Sequence, residues 1–130
     1  MTVDRRKSLG RRGEDLAAAH LERRGWRIVE RNYRTRAGEI DLIAARRGTL
    51  AFCEVKTLVM RGAAPVSGPA DPLECVGPAK RAQVRRMART WLAEHADRRR
   101  VRGSPRLDAI GVLLGPDGTL LRLDHLENAF

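Results

Sequence analysis

Four charged side chains interrupt an otherwise apolar stretch, GEIDLIAARRGTLAFCEVKT, between Gly38 and Thr57: Glu39, Asp41, Glu54 and Lys56. The stretch reads as two β-strands joined by a Gly-containing turn at Arg46, Arg47 and Gly48. Charge within a buried pattern is costly unless it is paired or binds a metal. Residues two apart on a strand share a face, so Glu54 and Lys56 project together, with Leu50 and Phe52 behind them, as do Glu39 and Asp41. Given a suitable hairpin register, Asp41 and Glu54 lie on one face. Two or three converging carboxylates make an oxygen-rich site suited to Mg²⁺ or Mn²⁺. A lysine beside them can orient a water or stabilise charge on a phosphate. Internal ion pairs with Lys56 are the plainer explanation of the same four residues.

The chain of 130 residues is long enough for one domain with its own core. Its 42% apolar and 32% charged residues are a globular composition, which excludes disorder along the whole length. Lys and Arg number 26 against 16 acids, giving a formal net charge of +10. Such an excess points to a polyanion, nucleic acid before anionic membrane. High-GC coding bias also produces Arg-rich proteins, but here the basic residues are clustered. No signal peptide is visible in MTVDRRKS, and no apolar run approaches the roughly 20 residues of a membrane span, so a cytoplasmic protein is expected. The two cysteines, Cys53 and Cys75, lack zinc-ligand spacing and read as reduced thiols, Cys53 as a small core residue. His20, His95 and His125 are scattered and are assigned no metal.

These residues need elements to hold them. Residues 1–7 read as a flexible basic arm. Leu9, Gly13, Leu16, Ala17, His20 and Leu21 recur at helical steps from Ser8 to Arg24, with Ser8 as cap and Gly25 as stop. Glu14 stands near the edge of that stripe, where an acid in the first half of a helix is also favoured by the macrodipole. Trp26–Tyr33 reads as the first strand, followed by Arg34, Arg36 and the hairpin. Residues 58–78, rich in Gly and Pro, read as a long mobile loop beside the site. A second helix is expected from Ala79 to about Asp97. Val84, Met87, Ala88, Trp91, Leu92 and His95 form its buried stripe, with Trp91 and Met87 as core rather than a base-stacking platform. Lys80, Arg81, Arg85, Arg86 and Arg89 occupy the other face, with few acids to pair with, as a surface that tracks phosphates requires. Arg106–Leu114 and Thr119–His125 read as two further strands around the Pro116-Asp117-Gly118 turn. Asp108 is expected to pair with Arg106 or another cation rather than a metal, and Phe130 to cover an edge of the core.

The order helix, three strands, helix, two strands is that of the PD-(D/E)XK restriction-endonuclease-like core with one C-terminal strand added. Gly13-Glu14, Gly38-Glu39-Ile40-Asp41-Leu42-Ile43 and Glu54-Val55-Lys56 resemble motifs of archaeal Holliday-junction resolvases. From about Leu9 to Phe130 the sequence more closely resembles the YraN-like family of uncharacterised bacterial proteins classed with endonucleases. The family signatures stand here as RRGEDLAAAHLERRGW, RNYRTRAGEIDLIA, FCEVKT and ENAF. The resemblance implies an α/β fold with a mixed central sheet flanked by helices, and metal-dependent hydrolysis of DNA, including branched DNA. It also implies Asp41 and Glu54 as metal-binding acids, Lys56 as the motif lysine and Glu14 as the helix-one glutamate. The Val55 carbonyl is a further implied ligand, while Glu39 has a supporting place. Leu58 departs from the Arg that relatives commonly carry, with Arg61 as a substitute. Two alternatives stand beside catalysis: a nucleic-acid-binding module that kept the fold, and an interaction scaffold dimerising through the Leu120–Leu123 strand edge.

Overall fold

The computed structural model describes residues 3–61, 64–65, 77–95 and 103–129, with side chains over 7–60, 77–95 and 103–129. The elements are α1 (Val3–Arg23), β1 (Arg27–Thr35), β2 (Gly38–Arg46), β3 (Thr49–Arg61), β4 (Ala64–Pro65), α2 (Pro78–Glu94), β5 (Ser104–Leu114) and β6 (Leu120–Leu126). The sheet runs β1-β2-β3-β5-β6, with β4 paired to the end of β3. Its ladders are antiparallel except β3–β5, which is parallel over eleven residue pairs from Thr49–Ser104 to Val59–Leu114. A parallel pair needs a crossover, and α2 supplies it. The chain is thus an α/β domain with a mixed sheet between two helices, as the motif order implied.

Strand alternation sorts the core into two layers. Ala51 and Cys53 of β3 pack with Ala17 and Leu21 of α1, while Leu50 and Phe52 pack with Val84, Met87 and Trp91 of α2. Cys53 is fully buried, as expected, and Trp91 and Met87 are core residues. The Trp91 indole N–H donates to Glu30 at 3.0 Å and the Tyr33 hydroxyl donates to Glu94 at 3.0 Å. Both polar tips are therefore satisfied where α2 lies on β1.

Several boundaries differ from the sequence reading. Residues 3–7, expected in a flexible arm, belong to α1, so Ser8 is an exposed residue within the helix rather than its cap. Gly25 does stop α1, with φ +87°. The first strand starts at Arg27, after Trp26, whose buried ring lies under the guanidinium of Arg46 at 4.4 Å. The expected loop at 58–78 is strand through Arg61, pairs again at Ala64–Pro65, and gives way to α2 at Pro78. Proline suits the first helical turn, where its missing N–H has no partner to lose. Residues 66–76 of that expected loop, Cys75 included, and Phe130 lie outside the described residues, as do 96–102 beyond α2. β5 begins at Ser104, two residues early, and β6 runs one residue further than expected. No helix is long and apolar enough to cross a membrane among the described residues.

Candidate metal centre and basic face

The β2–β3 ladder is regular from Arg46–Thr49 to Leu42–Cys53 and ends there, although β2 continues to pair with β1 as far as Gly38. Continued by one step, the register sets Asp41 opposite Glu54. Instead the strands part, and Asp41 Oδ2 accepts the Val55 N–H at 2.7 Å. The carboxylate takes a donor that a longer ladder would have consumed. Alternation breaks at the same point: Ile40 and Ile43 both pack on the α2 side, whereas Leu42 packs on the α1 side. Across β1, register places Asn32 opposite Asp41, and Asn32 has a left-handed φ of 54°. Asn tolerates that conformation better than most residues, and irregular backbone of this kind clusters at functional sites.

Helix α1 brings Glu14 to this break. A Cβ on Gly13 would overlap the Thr57 hydroxyl and stand 3.0 Å from Thr57 Cβ, so only glycine lets α1 lie this close to β3. Carboxylate oxygens of Glu14, Glu39 and Asp41 then lie within 4.8 Å of one another. With its amide nitrogen turned to the acids, Asn32 donates to Glu39 Oε1 at 2.8 Å and Glu14 Oε2 at 3.2 Å. Arg34, opposite Glu39 in the β1–β2 register, pairs with Glu39 Oε2 at 3.1 Å.

Glu54 stands beside this group rather than within it. It is 6% exposed and faces α2, and its Oε1 lies 3.3 Å from Lys80 Nζ and 3.9 Å from Lys56 Nζ. Burial, and then the charge of Glu54, pushes the Asp41 carboxyl up to about 8; the Val55 N–H works the other way, and Glu14 and Glu39 add to the rise. Glu14 is also raised, first by burial and then by Glu39. Four acids are thus held together at a cost that a cation would relieve. All donors are oxygens, three of them half-buried and converging, and that set fits Mg²⁺ or Mn²⁺ better than a softer ion.

The structure therefore gathers Glu14, Asp41, Glu54 and Lys56, and adds two residues in unanticipated places. Glu39, given a supporting place, joins Glu14 and Asp41. Lys80, grouped with the outward basic face, turns inward to Glu54. Both were legible in principle. Counting across the Thr35–Gly38 turn sets Arg34 opposite Glu39, and Lys80 lies four residues before Val84, on the buried row of α2. Arg81, Arg85, Arg86 and Arg89 are exposed and, among the described residues, have no carboxylate within 4.0 Å; Arg36 is likewise exposed at the β1–β2 turn. Arg34 is exposed but committed to Glu39. The Arg61 side chain lies outside those described.

A second polar cluster lies on the α1 side. Asp108, fully buried, accepts two bonds from Arg106 at 2.9 Å, one from His125 at 2.8 Å and the Asn128 N–H at 3.0 Å. Burial alone would raise its pKa, but these bonds outweigh it and the net shift is downward. The expected ion pair with Arg106 is present.

Fold and site define an α/β domain that presents a converging acid cluster where two central strands part. The comparisons give its family. Residues 13–112 match the model of the uncharacterised protein family UPF0102, and the chain belongs to that family, the YraN-like one. A UPF0102 protein of Clavibacter michiganensis subsp. michiganensis is 46% identical over 111 residues, 85% of this chain and 86% of the relative. Relatives in Streptomyces griseus and Geobacter sulfurreducens are 43% identical over 112 residues and 41% over 125, covering 86% and 95% of this chain and 87% and 89% of their own lengths. The match from residue 13 takes in Glu14, Glu39, Asp41, Glu54 and Lys56.

Proposed function

We propose that the chain is a Mg²⁺- or Mn²⁺-dependent DNA endonuclease acting on structured or branched substrates without base-specific readout. The observation that carries this reading is the convergence of Glu14, Glu39 and Asp41 within 4.8 Å, beside a buried glutamate that is flanked by two lysines. Glu14, Glu39 and Asp41 would hold the cation, with Glu54 at its border. Bound there, the ion would acidify a water and neutralise charge on the phosphodiester. Lys56, 40% exposed and 3.9 Å from Glu54, would orient the attacking water or offset charge as it develops on the phosphate. Lys80 holds Glu54 in place, and the Val55 N–H holds Asp41. Arg81, Arg85, Arg86 and Arg89 would track the phosphate backbone, which positions a substrate and carries no sequence information.

The test is cleavage of branched, flapped and linear DNA with and without Mg²⁺ or Mn²⁺, using Asp41→Ala and Glu54→Ala as controls. Cation-dependent cleavage that both substitutions abolish supports the reading. Cleavage at full rate in both would sink it.

One observation favours the rival reading, a non-catalytic nucleic-acid-binding module in the same family. Glu54 Oε1 already has Lys80 at 3.3 Å, a partner that stabilises the carboxylate without any metal. Steeply salt-dependent DNA binding together with no carboxylate-dependent cation binding would establish that alternative.

A further inference from the structure

A cavity of about 280 Å³ opens beside the outer flank of α2, lined by Arg85, Ala88, Arg89, Leu92, Leu107 and Asn128 at its working surfaces. It is separate from the acid cluster and differs from it in chemistry. Ala88 and Leu107 are almost fully buried and, with half-buried Leu92, give the cavity an apolar floor. Arg85 and Arg89 stand one helical turn apart at the rim, exposed and without a carboxylate within 4.0 Å among the described residues. The Asn128 carboxamide has no hydrogen-bond partner there either, although its backbone is fixed: φ is 53°, its N–H is bound by Asp108, and the next N–H is bound by Leu107 O at 2.7 Å. A mixed cavity near the lower end of small-ligand size thus combines an apolar floor, two unneutralised guanidinium groups and one amide able both to donate and to accept.

We propose that this cavity binds a single unpaired nucleotide, its base lying on the apolar floor, its edge hydrogen-bonded without selection by the Asn128 carboxamide, which can donate or accept, and its phosphate held by Arg85 and Arg89. The inference rests on the nucleic-acid reading above and sharpens it. A base inside a duplex cannot leave its stack without cost, so a pocket for one base selects ends, flaps and branch points, where bases are already unpaired. Charge complementarity favours this occupant over an uncharged ring compound, because the two arginines at the rim have no carboxylate partner among the described residues. The spacing is also consistent. Arg85 and Arg89 lie five and nine residues beyond Lys80, about 8 and 14 Å along the helix axis at 1.5 Å per residue, with Lys80 itself on Glu54. Arg89 also lies half a turn around the axis from Lys80, so a strand joining the acid cluster to the cavity spans a few nucleotides and passes around α2.

The test uses the whole chain in EDTA, where no cleavage occurs. The probes are hairpin duplexes with a flush end or with one unpaired 5′-phosphorylated 2-aminopurine nucleotide, and fluorescence reports binding. The overhang should bind about tenfold more tightly than the flush end, within the range of one stacked base, with a change in 2-aminopurine emission. Asn128→Gly keeps the left-handed backbone and the N–H to Asp108 while removing the carboxamide. It should erase most of the overhang preference and leave flush-duplex affinity within about twofold. Arg85→Gln should weaken both probes, the overhang more. Equal binding of the two probes by the unaltered chain, or a preference that survives both substitutions, overturns the proposal. Because the readout is binding, failure to cleave DNA does not touch it. Conversely, cleavage without any overhang preference removes the cavity from the account and leaves the metal site standing.

Discussion

At the residue scale the acid cluster has a thermodynamic signature that needs no substrate. Asp41 ordinarily titrates near 3.8, and in the folded chain its pKa stands at about 8. The folded state therefore holds the proton more tightly than the unfolded state between those values. Stability from this group is fully present below about pH 4, falls as pH rises, and is lost above about pH 8. Asp41→Asn removes the penalty, so without divalent cations its melting temperature at pH 8 should exceed that of the parent chain, with a gain of up to a few kcal/mol. Thermal melts at pH 5 and pH 8 check this: the variant should gain chiefly at the higher pH, and equal curves would contradict the assignment. Asp108 has the opposite sign. Its lowered pKa contributes stability above pH 4 that is lost as pH falls through its folded value. Lys80→Met should destabilise the fold by about 1–3 kcal/mol, because it leaves buried Glu54 with only the longer Lys56 contact; denaturant unfolding measures it. Such roles were partly legible. Asp41, Glu54 and Lys56 stood out because they break an apolar pattern, and Asp108 because it lies inside a strand. Glu39 stood out with them but only in a supporting place, and Lys80 only as part of the outward basic face, because what each does depends on partners in other elements: Asn32 and Glu14 for Glu39, Glu54 for Lys80.

At the scale of elements, three contacts make the site. β2 leaves β3 at Leu42–Cys53, α1 crosses Thr57 at Gly13, and α2 lays Lys80 on Glu54. The hairpin was legible because its strands alternate and its turn carries Gly48, whose φ is +78°. The parting of the strands was not, because the apolar residues run on past Leu42–Cys53, where the β2–β3 ladder ends. The extension of β3 to Arg61 was hidden because LVMR carries no alternation and its order comes from its partners: Leu58 and Val59 pair with Leu113 and Leu114, Met60 and Arg61 with Pro65 and Ala64. Gly13→Ala should push α1 off β3, costing about 1–3 kcal/mol as an overpacking change. Thr57→Ala should recover part of that loss in the double variant, since it removes the hydroxyl that the new methyl would strike. Unfolding free energies of the four proteins in the cycle measure the coupling, and strict additivity would count against the close crossing.

At the scale of the whole molecule, the two sides of the sheet do different work. The α1 side carries the Asp108 network and supplies Glu14, while the α2 side turns outward a row of arginines that have no carboxylate partner among the described residues. With a formal charge of +10, the chain should bind DNA with a steep dependence on salt. Each neutralisation of Arg81, Arg86 or Arg89 should lower the slope of log affinity against log salt by about 1, measured by fluorescence anisotropy. An unchanged slope in all three would move the interface elsewhere. The edge strand β6 exposes Leu120, Leu121 and Leu126, the surface to examine for self-association.

The metal centre depends on Glu14, Glu39 and Asp41 holding a cation together. Calorimetric titration of the full chain with Mn²⁺ at pH 8 tests this most directly. It predicts saturable binding at one site, abolished by Asp41→Ala and weakened at least about tenfold by Glu39→Gln or Glu14→Gln. Binding that is absent from the parent chain, or unchanged when these acids are removed, would contradict it.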